Sequence, residues 1–104
     1  MKPSKHIFLS YRSVDVEFAL QLAADLKNAG INLWMDRLDI KPGDDWMKML
    51  GSAVNDCAAM VSLLTPEYAS SKYCQRELAR ADRIGKPIFP VILRRLPDDE
   101  WPLE

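Results

Sequence analysis

The sequence predicts an α/β fold in which a parallel sheet carries helices on both faces. Three observations carry that expectation. Four short apolar runs alternate with segments whose apolar residues recur at helical spacing. Helices between successive strands imply parallel pairing, because each connection has to cross back over the sheet. Polar residues gather at the carboxyl ends of the runs, where such sheets bind their ligands.

The first run is Ile7-Phe8-Leu9-Ser10-Tyr11. From Asp15 to Gly30 the residues Ala19, Leu22, Ala23 and Leu26 form a helical stripe, and Gly30 is a natural stop. Asn32-Leu33-Trp34-Met35 is the second strand. Trp46, Met49, Leu50, Ala53, Val54 and Cys57 then keep helical spacing, with Asp44 or Asp45 placed to cap the amino end. Ala58-Ala59-Met60-Val61-Ser62-Leu63-Leu64 is a third strand, nearly continuous in apolar character. The third helix aligns Cys74, Leu78, Ala81 and Ile84 and ends at Gly85-Lys86-Pro87. Ile88-Phe89-Pro90-Val91-Ile92-Leu93 is the fourth strand; Pro90 directs it to an edge or a bulge, since proline donates no ladder hydrogen bond. The ending, Arg94 to Glu104, is polar. A doubly wound domain ordinarily continues into a fifth strand and a final helix, so residues 1–104 read as one domain cut before those elements.

At 104 residues the chain suffices for one domain with one core. Its 48% apolar and 28% charged residues are those of an ordinary soluble globular protein. A net charge of −1 gives no electrostatic drive towards nucleic acid or an anionic membrane, so neither is expected as a partner. Two cysteines, Cys57 and Cys74, and the single His6 make neither a disulfide framework nor a metal site. They suit a reducing cytoplasm, with both cysteines as small core residues and His6 solvated or capped. No apolar run approaches membrane-spanning length and no signal segment opens the chain.

Glu77 breaks the pattern. It occupies a slot in the apolar stripe of the third helix, beside Leu78, while Arg76, Arg80 and Arg83 account for the outward face. A carboxylate turned towards a core seam costs on the order of several kcal/mol unless it is paired, protonated or facing a pocket. Two readings are open: a rim residue paired with Arg80 at i+3, or a functional carboxylate. A flavodoxin-like strand order, 2-1-3-4, bears on the choice. Its crevice would lie between the loops after the first and third strands, Ser10-Tyr11-Arg12-Ser13 and Thr65 through Glu77. Both loops then converge on the start of the third helix, which favours function.

Several chemistries are disfavoured. The loop after the first strand has no glycine, so dinucleotide-binding and P-loop phosphate turns are absent. A phospho-receiver needs an aspartate ending the third strand, which here ends Leu64-Thr65-Pro66. A serine nucleophile lacks its base, since His6 precedes the first strand. One reaction does need a single carboxylate and little else: cleavage of a nicotinamide–ribose bond. Ordinary glycosidases use two carboxyl groups because the leaving oxygen must be protonated. Nicotinamide leaves a cationic pyridinium as a neutral molecule, so one glutamate that stabilises an oxocarbenium-like centre is sufficient in principle. Tyr73, one turn earlier, would supply an aromatic wall.

Taken together, these residues resemble the Toll/interleukin-1 receptor (TIR) domain family, over essentially the whole chain from Ile7 to the loop after Leu93. Phe8-Leu9-Ser10-Tyr11-Arg12 is similar to the family's first box. Asp36, followed by Arg37-Leu38-Asp39-Ile40-Lys41-Pro42-Gly43-Asp44-Asp45-Trp46, is similar to the long loop carrying the second box. Ser71, Cys74 and Glu77 match the family's Ser…Cys…Glu helix pattern. The Lys-Pro-Gly-Asp-Asp-Trp wording is closer to prokaryotic or plant members than to animal receptor adaptors. The resemblance implies a flavodoxin-like fold and, for many members, cleavage of NAD+ to ADP-ribose or a cyclic form, with Glu77 as the catalytic residue. Around it, Ser10, Tyr11, Arg12, Asp36, Trp46, Ser71, Tyr73 and Cys74 are the expected substrate contacts. NAD+ enters as substrate, and neither a separate cofactor nor a metal is expected.

Activity in the family depends on assembly, which makes other TIR domains the implied partners. Lys41, Pro42, Gly43 and Asp44 are the expected assembly loop, reaching a neighbouring copy's site. That loop, Arg37 to Asp45, is long for a βα connection, which usually runs about 2–6 residues. The sequence departs from the family where Tyr73 stands in place of a frequent Trp, and where the third box is missing with the last strand and helix. Two functions remain in view. One is an assembly-activated NAD+-consuming effector of a bacterial immune, anti-phage protein, cytoplasmic, with a sensor after Glu104. The other is a non-catalytic adaptor working by homotypic assembly.

Overall fold

The computed structural model describes residues 6–39 and 41–94. The polar ending from Arg95 onward, Ile40 within the second box and the first five residues lie outside the described residues. In chain order the elements are β1 (Ile7–Ser10), a 3-10 turn (Ser13–Asp15), α1 (Val16–Asn28), β2 (Leu33–Trp34), α2 (Asp36–Asp39), α3 (Trp46–Asp56), β3 (Ala59–Leu64), α4 (Pro66–Ser70), α5 (Lys72–Arg83) and β4 (Ile88–Ile92). The sheet order is β2-β1-β3-β4 with every pair parallel. The first strand therefore lies between the second and third, as the sequence predicts. Pro90 sits in the outer strand β4, opposite Ser62.

Strand alternation sorts the core into two layers. Leu9 and Leu63 face the side covered by α1, where Ala19 and Ala23 let the helix approach and Leu33 and Met35 complete the cluster. Phe8, Met60 and Leu64 face the other side, against Leu50, Ala53 and Val54 of α3 and Cys74, Leu78 and Ala81 of α5. Both cysteines are buried and neither is in a disulfide, as expected of small core residues. His6 is held by a 2.7 Å hydrogen bond between its Nε2 and the Ala53 carbonyl. The end of α5 is fixed by Gly85, whose φ of 79° lets the Lys86 N–H return to the Ala81 carbonyl at 2.9 Å.

Four expectations change. The long second-box loop is not structureless throughout, because its start coils into α2. The Asp39 carboxylate accepts the Met35 N–H at 2.8 Å, a local bond that competes with an extended backbone. The loop before α5 also contains a helix, α4, started by Thr65. Its hydroxyl accepts the Tyr68 N–H at 3.0 Å, and Pro66 occupies the first helical position. Ile84 falls past the last residue of α5 and is exposed, so it leaves the core stripe. Trp46 opens α3 but stands 43% exposed, its ring packed on another aromatic instead of the core. Asp45, whose carboxylate accepts the Lys48 N–H, caps α3; Asp44 accepts the Lys41 N–H within the loop.

Candidate functional site

Ser10 ends β1 and Ser62 lies in β3 as its register partner. Alternation puts both on the face that carries Phe8, Met60 and Leu64, beneath α4 and α5. Tyr68, held inward by the cap of α4, brings its hydroxyl to 2.7 Å from Ser10 Oγ and 3.4 Å from Ser62 Oγ. Ser10 Oγ in turn donates to Glu77 Oε1 at 3.3 Å. Glu77 is only 9% exposed. Arg80, the cation that a rim residue would use, instead holds Asn55 Oδ1 at 3.1 and 2.9 Å. Among the described residues no ion pair reaches Glu77.

Burial is the main reason the Glu77 carboxyl rises from 4.5 to about 8; the Asp36 charge pushes the same way, and the Ser10 hydrogen bond opposes both. Burial likewise lifts the Cys74 thiol to about 11, partly offset by its hydrogen bond with Ser71, so Cys74 is no nucleophile at neutral pH. The Tyr68 and Tyr73 phenols are pushed up by burial and stay neutral.

Two cavities border this group. The larger, about 340 Å³, is lined by Tyr11, Arg12 and Ser13 from the end of β1, Asp36, Trp46, Tyr73 and Cys74. Tyr11 donates to Asp36 Oδ1 at 2.6 Å, and Cys74 Sγ lies 3.6 Å from the Tyr11 carbonyl oxygen. The smaller, about 90 Å³, lies between α3 and α5 and is lined by Met47, Leu50, Gly51, Val54, Tyr73, Arg76, Glu77 and Arg80. Glu77 lines the smaller cavity, whereas six of the eight expected substrate contacts line the larger. Tyr73 borders both, and its ring stacks on Trp46 with centroids 4.7 Å apart and planes 13° from parallel. The Tyr73 ring is thus the wall common to the two spaces.

Of the residues singled out by sequence, Tyr11, Arg12, Asp36, Trp46, Tyr73 and Cys74 come together at the crevice. Ser10 is adjacent, acting on Glu77 directly. Ser71 is buried and caps α5, its Oγ accepting the Cys74 N–H at 3.2 Å, so in this structure it shapes the helix start. Lys41, Pro42, Gly43 and Asp44 are exposed and line neither cavity. Among the described residues no group of side chains is arranged to hold a metal ion. No described helix is long and apolar enough to cross a membrane.

Sequence reasoning missed Ser62, Tyr68 and Arg94. Arg94, just past β4, bonds both Asp15 carboxylate oxygens at 3.1 and 3.3 Å and Glu67 at 3.1 Å, tying together the segments after β1 and β3. Ser62 did leave a signal, as the one polar residue in an apolar strand. Tyr68 was foreshadowed by the Thr65-Pro66 helix start.

Comparison with known proteins agrees with this architecture. A family model described as TIR domain matches residues 7–104. A probable 2′ cyclic ADP-D-ribose synthase from Brachypodium distachyon is 34% identical over 95 residues, covering 89% of this chain and 42% of that protein. A 2′ cyclic ADP-D-ribose synthase from Acinetobacter baumannii is 27% identical over 95 residues, covering 86% of this chain and 35% of that protein. The chain thus spans less than half the length of either relative. The TIR domains of the activated Roq1 resistosome superpose with a TM-score of 0.76 at 28% identity, over 86% of this chain and 57% of that one. The TIR domain of a Toll-related receptor from Hydra magnipapillata gives a TM-score of 0.79 at 19% identity, over 92% and 78% of the two chains, a likeness of fold alone. With the family model matched over residues 7–104 and the parallel β2-β1-β3-β4 sheet shared with solved members, this chain belongs to the TIR domain family.

Proposed function

We propose that this domain cleaves the nicotinamide–ribose bond of NAD+, with Glu77 as the catalytic carboxylate. The observation that carries the reading is a buried carboxylate with no cationic partner among the described residues, hydrogen-bonded to Ser10 at the carboxyl end of β1 and separated from the crevice by Tyr73, which lines both cavities. The two relatives named as 2′ cyclic ADP-D-ribose synthases support it. The C1′–N bond breaks with its electron pair leaving on nicotinamide, which departs neutral and needs no proton. The ribose carbon that remains is an oxocarbenium-like cation, and a fixed carboxylate stabilises it. Capture by water gives ADP-ribose; capture by a nucleophile of the same molecule gives a cyclic ADP-ribose, the outcome the relatives' names favour.

Glu77 is largely protonated at neutral pH before substrate arrives. The positive pyridinium opposes that, since an opposite charge within about 4–6 Å favours the ionised carboxyl. Substrate therefore helps to charge its own catalyst. Tyr73 and Trp46 offer flat faces for the pyridine and adenine rings, and Tyr11, Arg12 and Asp36 offer polar groups for ribose and phosphate. Ser71 and Cys74 support the site by fixing the start of α5.

The exposed loop of Lys41, Pro42, Gly43 and Asp44 is the proposed assembly surface, consistent with relatives that operate in a resistosome. The wider reading is a cytoplasmic immune effector that uses NAD+ as substrate without a separate cofactor, activated when a sensor brings copies together. The test incubates concentrated protein with NAD+ and follows nicotinamide release. Glu77→Gln keeps shape and should lower the rate about 100-fold or more while the domain stays folded. An assembled wild-type sample that leaves NAD+ intact would defeat the proposal and favour a non-catalytic adaptor.

A further inference from the structure

Ser62, Tyr68, Ser10 and Glu77 form one continuous hydrogen-bonded chain, and its three hydroxyl residues are at most 1% exposed. Phenylalanine at 68 and alanine at 62 would fill nearly the same space among Phe8, Met60 and Leu64 without burying any polar group. Packing alone therefore gives no reason for the hydroxyls. Their common feature is that the chain they form ends on Glu77.

The hydrogen count is telling. Three hydroxyls carry one hydrogen each, and the chain has three bonds to fill. When Glu77 is charged, Ser10 donates to the carboxylate and Tyr68 can donate to Ser10, with Ser62 as the competing acceptor of the Tyr68 hydrogen at 3.4 Å. When Glu77 is protonated, the hydrogens can run from Glu77 to Ser10 to Tyr68 to Ser62, the last step being the direction in which Tyr68 already faces Ser62. Hydroxyl hydrogens can rotate, and between Ser10 and Tyr68 either oxygen can donate with both in place. The bonds also polarise one another, so a donor two steps away strengthens the one at the carboxylate.

We propose that Tyr68, acting through Ser10, is a positioning residue that fixes the Glu77 carboxyl in one orientation and stabilises its charged form. The inference rests on the reading of Glu77 as the catalytic carboxylate. Other groups around Glu77 act differently. Asp36 of α2 disfavours its charge, Tyr73 and Cys74 on its own helix stay neutral, Tyr11 is engaged with Asp36, and Arg76 and Arg80 border the small cavity without pairing with it. Only the Ser10 hydrogen bond offsets the burial and the Asp36 charge.

The test titrates 13C-labelled glutamate carboxyls by NMR, the Glu77 signal being assigned by its loss in Glu77→Gln, and measures kcat and KM on the same proteins. Tyr68→Phe should remain folded, hold KM within about twofold and lower kcat about tenfold, as expected when a catalytic group loses its orientation. Its Glu77 midpoint should move up by roughly a few tenths of a pH unit. Ser62→Ala removes the competing acceptor of the Tyr68 hydrogen and should move the midpoint the other way by less. Leu33→Val, in the opposite core layer, should lower stability without moving it. An unmoved Glu77 midpoint in folded Tyr68→Phe overturns the inference, whatever happens to kcat. Full activity of Glu77→Gln would instead overturn the catalytic reading, and the titration would still report whether the chain acts on the carboxyl.

Discussion

Replacing Glu77 by Gln should make the domain more stable, and increasingly so as pH rises. The folded-state carboxyl titrates at about 8, against 4.5 for the unperturbed group, because it is buried beside Asp36. Over the interval between those values the folded domain retains a proton that the unfolded chain has released. Stability therefore falls as pH climbs from about 4.5 to 8, the reverse of a salt-bridged carboxylate. Each pH unit in the window costs about 1.4 kcal/mol, so pH 5 to pH 8 totals about 3–4 kcal/mol, an upper figure because structural relaxation and water entry soften burial. Gln does not titrate and is free of that slope. Thermal melts of both proteins at pH 5, 6.5 and 8, at fixed ionic strength, measure the difference. Any pH-independent gain or loss from the amide cancels when the gap at pH 5 is subtracted. About 3 kcal/mol corresponds to 10 °C or more in a domain of this size. A gap that stays constant, or a Gln protein that falls behind as pH rises, would refute the placement of a neutral carboxyl without a cationic partner at residue 77.

Under the proposed function, the same ionisation governs the pH dependence of NAD+ cleavage. If charged Glu77 is the active form, kcat/KM for NAD+ should rise about tenfold per pH unit below about 8 and level off above it, and a flat profile from pH 6 to 9 would contradict this. Trp46→Ala removes the ring stacked on Tyr73; KM should rise several-fold, while stability falls by no more than about 1.5 kcal/mol since Trp46 is partly exposed, both read from kinetics and melts on one preparation. Lys41→Glu reverses an exposed charge on the second-box loop and should lower oligomer mass by light scattering and NAD+ loss together, with the melting temperature unchanged. Gly43 suits that purpose less well: its φ of 93° strains any side chain, so a substitution there costs stability of its own, on the order of 1–2 kcal/mol.

The fold was legible because its signals are local and repeated. Apolar strands, helical stripes and the prolines and glycines between them specify β1, β3, α1, α3 and α5, and parallel order follows from the connections. The short helices were harder to see. Both α2 and α4 span five residues or fewer, too short for a periodic stripe, and arise from side-chain bonds to the backbone by Asp39 and Thr65. Ile84 illustrates the opposite failure. It keeps the helical spacing, but Gly85 has already turned the chain away, and spacing alone does not register where a helix stops.

Within the site, the stripe argument finds Glu77 because a carboxylate in an apolar row is visible in one dimension. What surrounds that carboxylate is set by residues far apart in the chain. Ser10 and Ser62 meet only through strand register, and Tyr68 meets both only because a cap at Thr65 turns it inward. The Trp46–Tyr73 stack joins two helices whose separate patterns contain no hint of it. These long-range contacts settle the balance of charge at Glu77. With Arg80 committed to Asn55, the Ser10 hydrogen bond remains to offset burial and the Asp36 charge, and a neutral donor stabilises a carboxylate less than a guanidinium would. A domain built only for stability would have paired Glu77 with Arg80 or replaced it with leucine. Leaving it buried and weakly held keeps a carboxyl that an arriving cation can ionise, at a cost in stability that grows with pH.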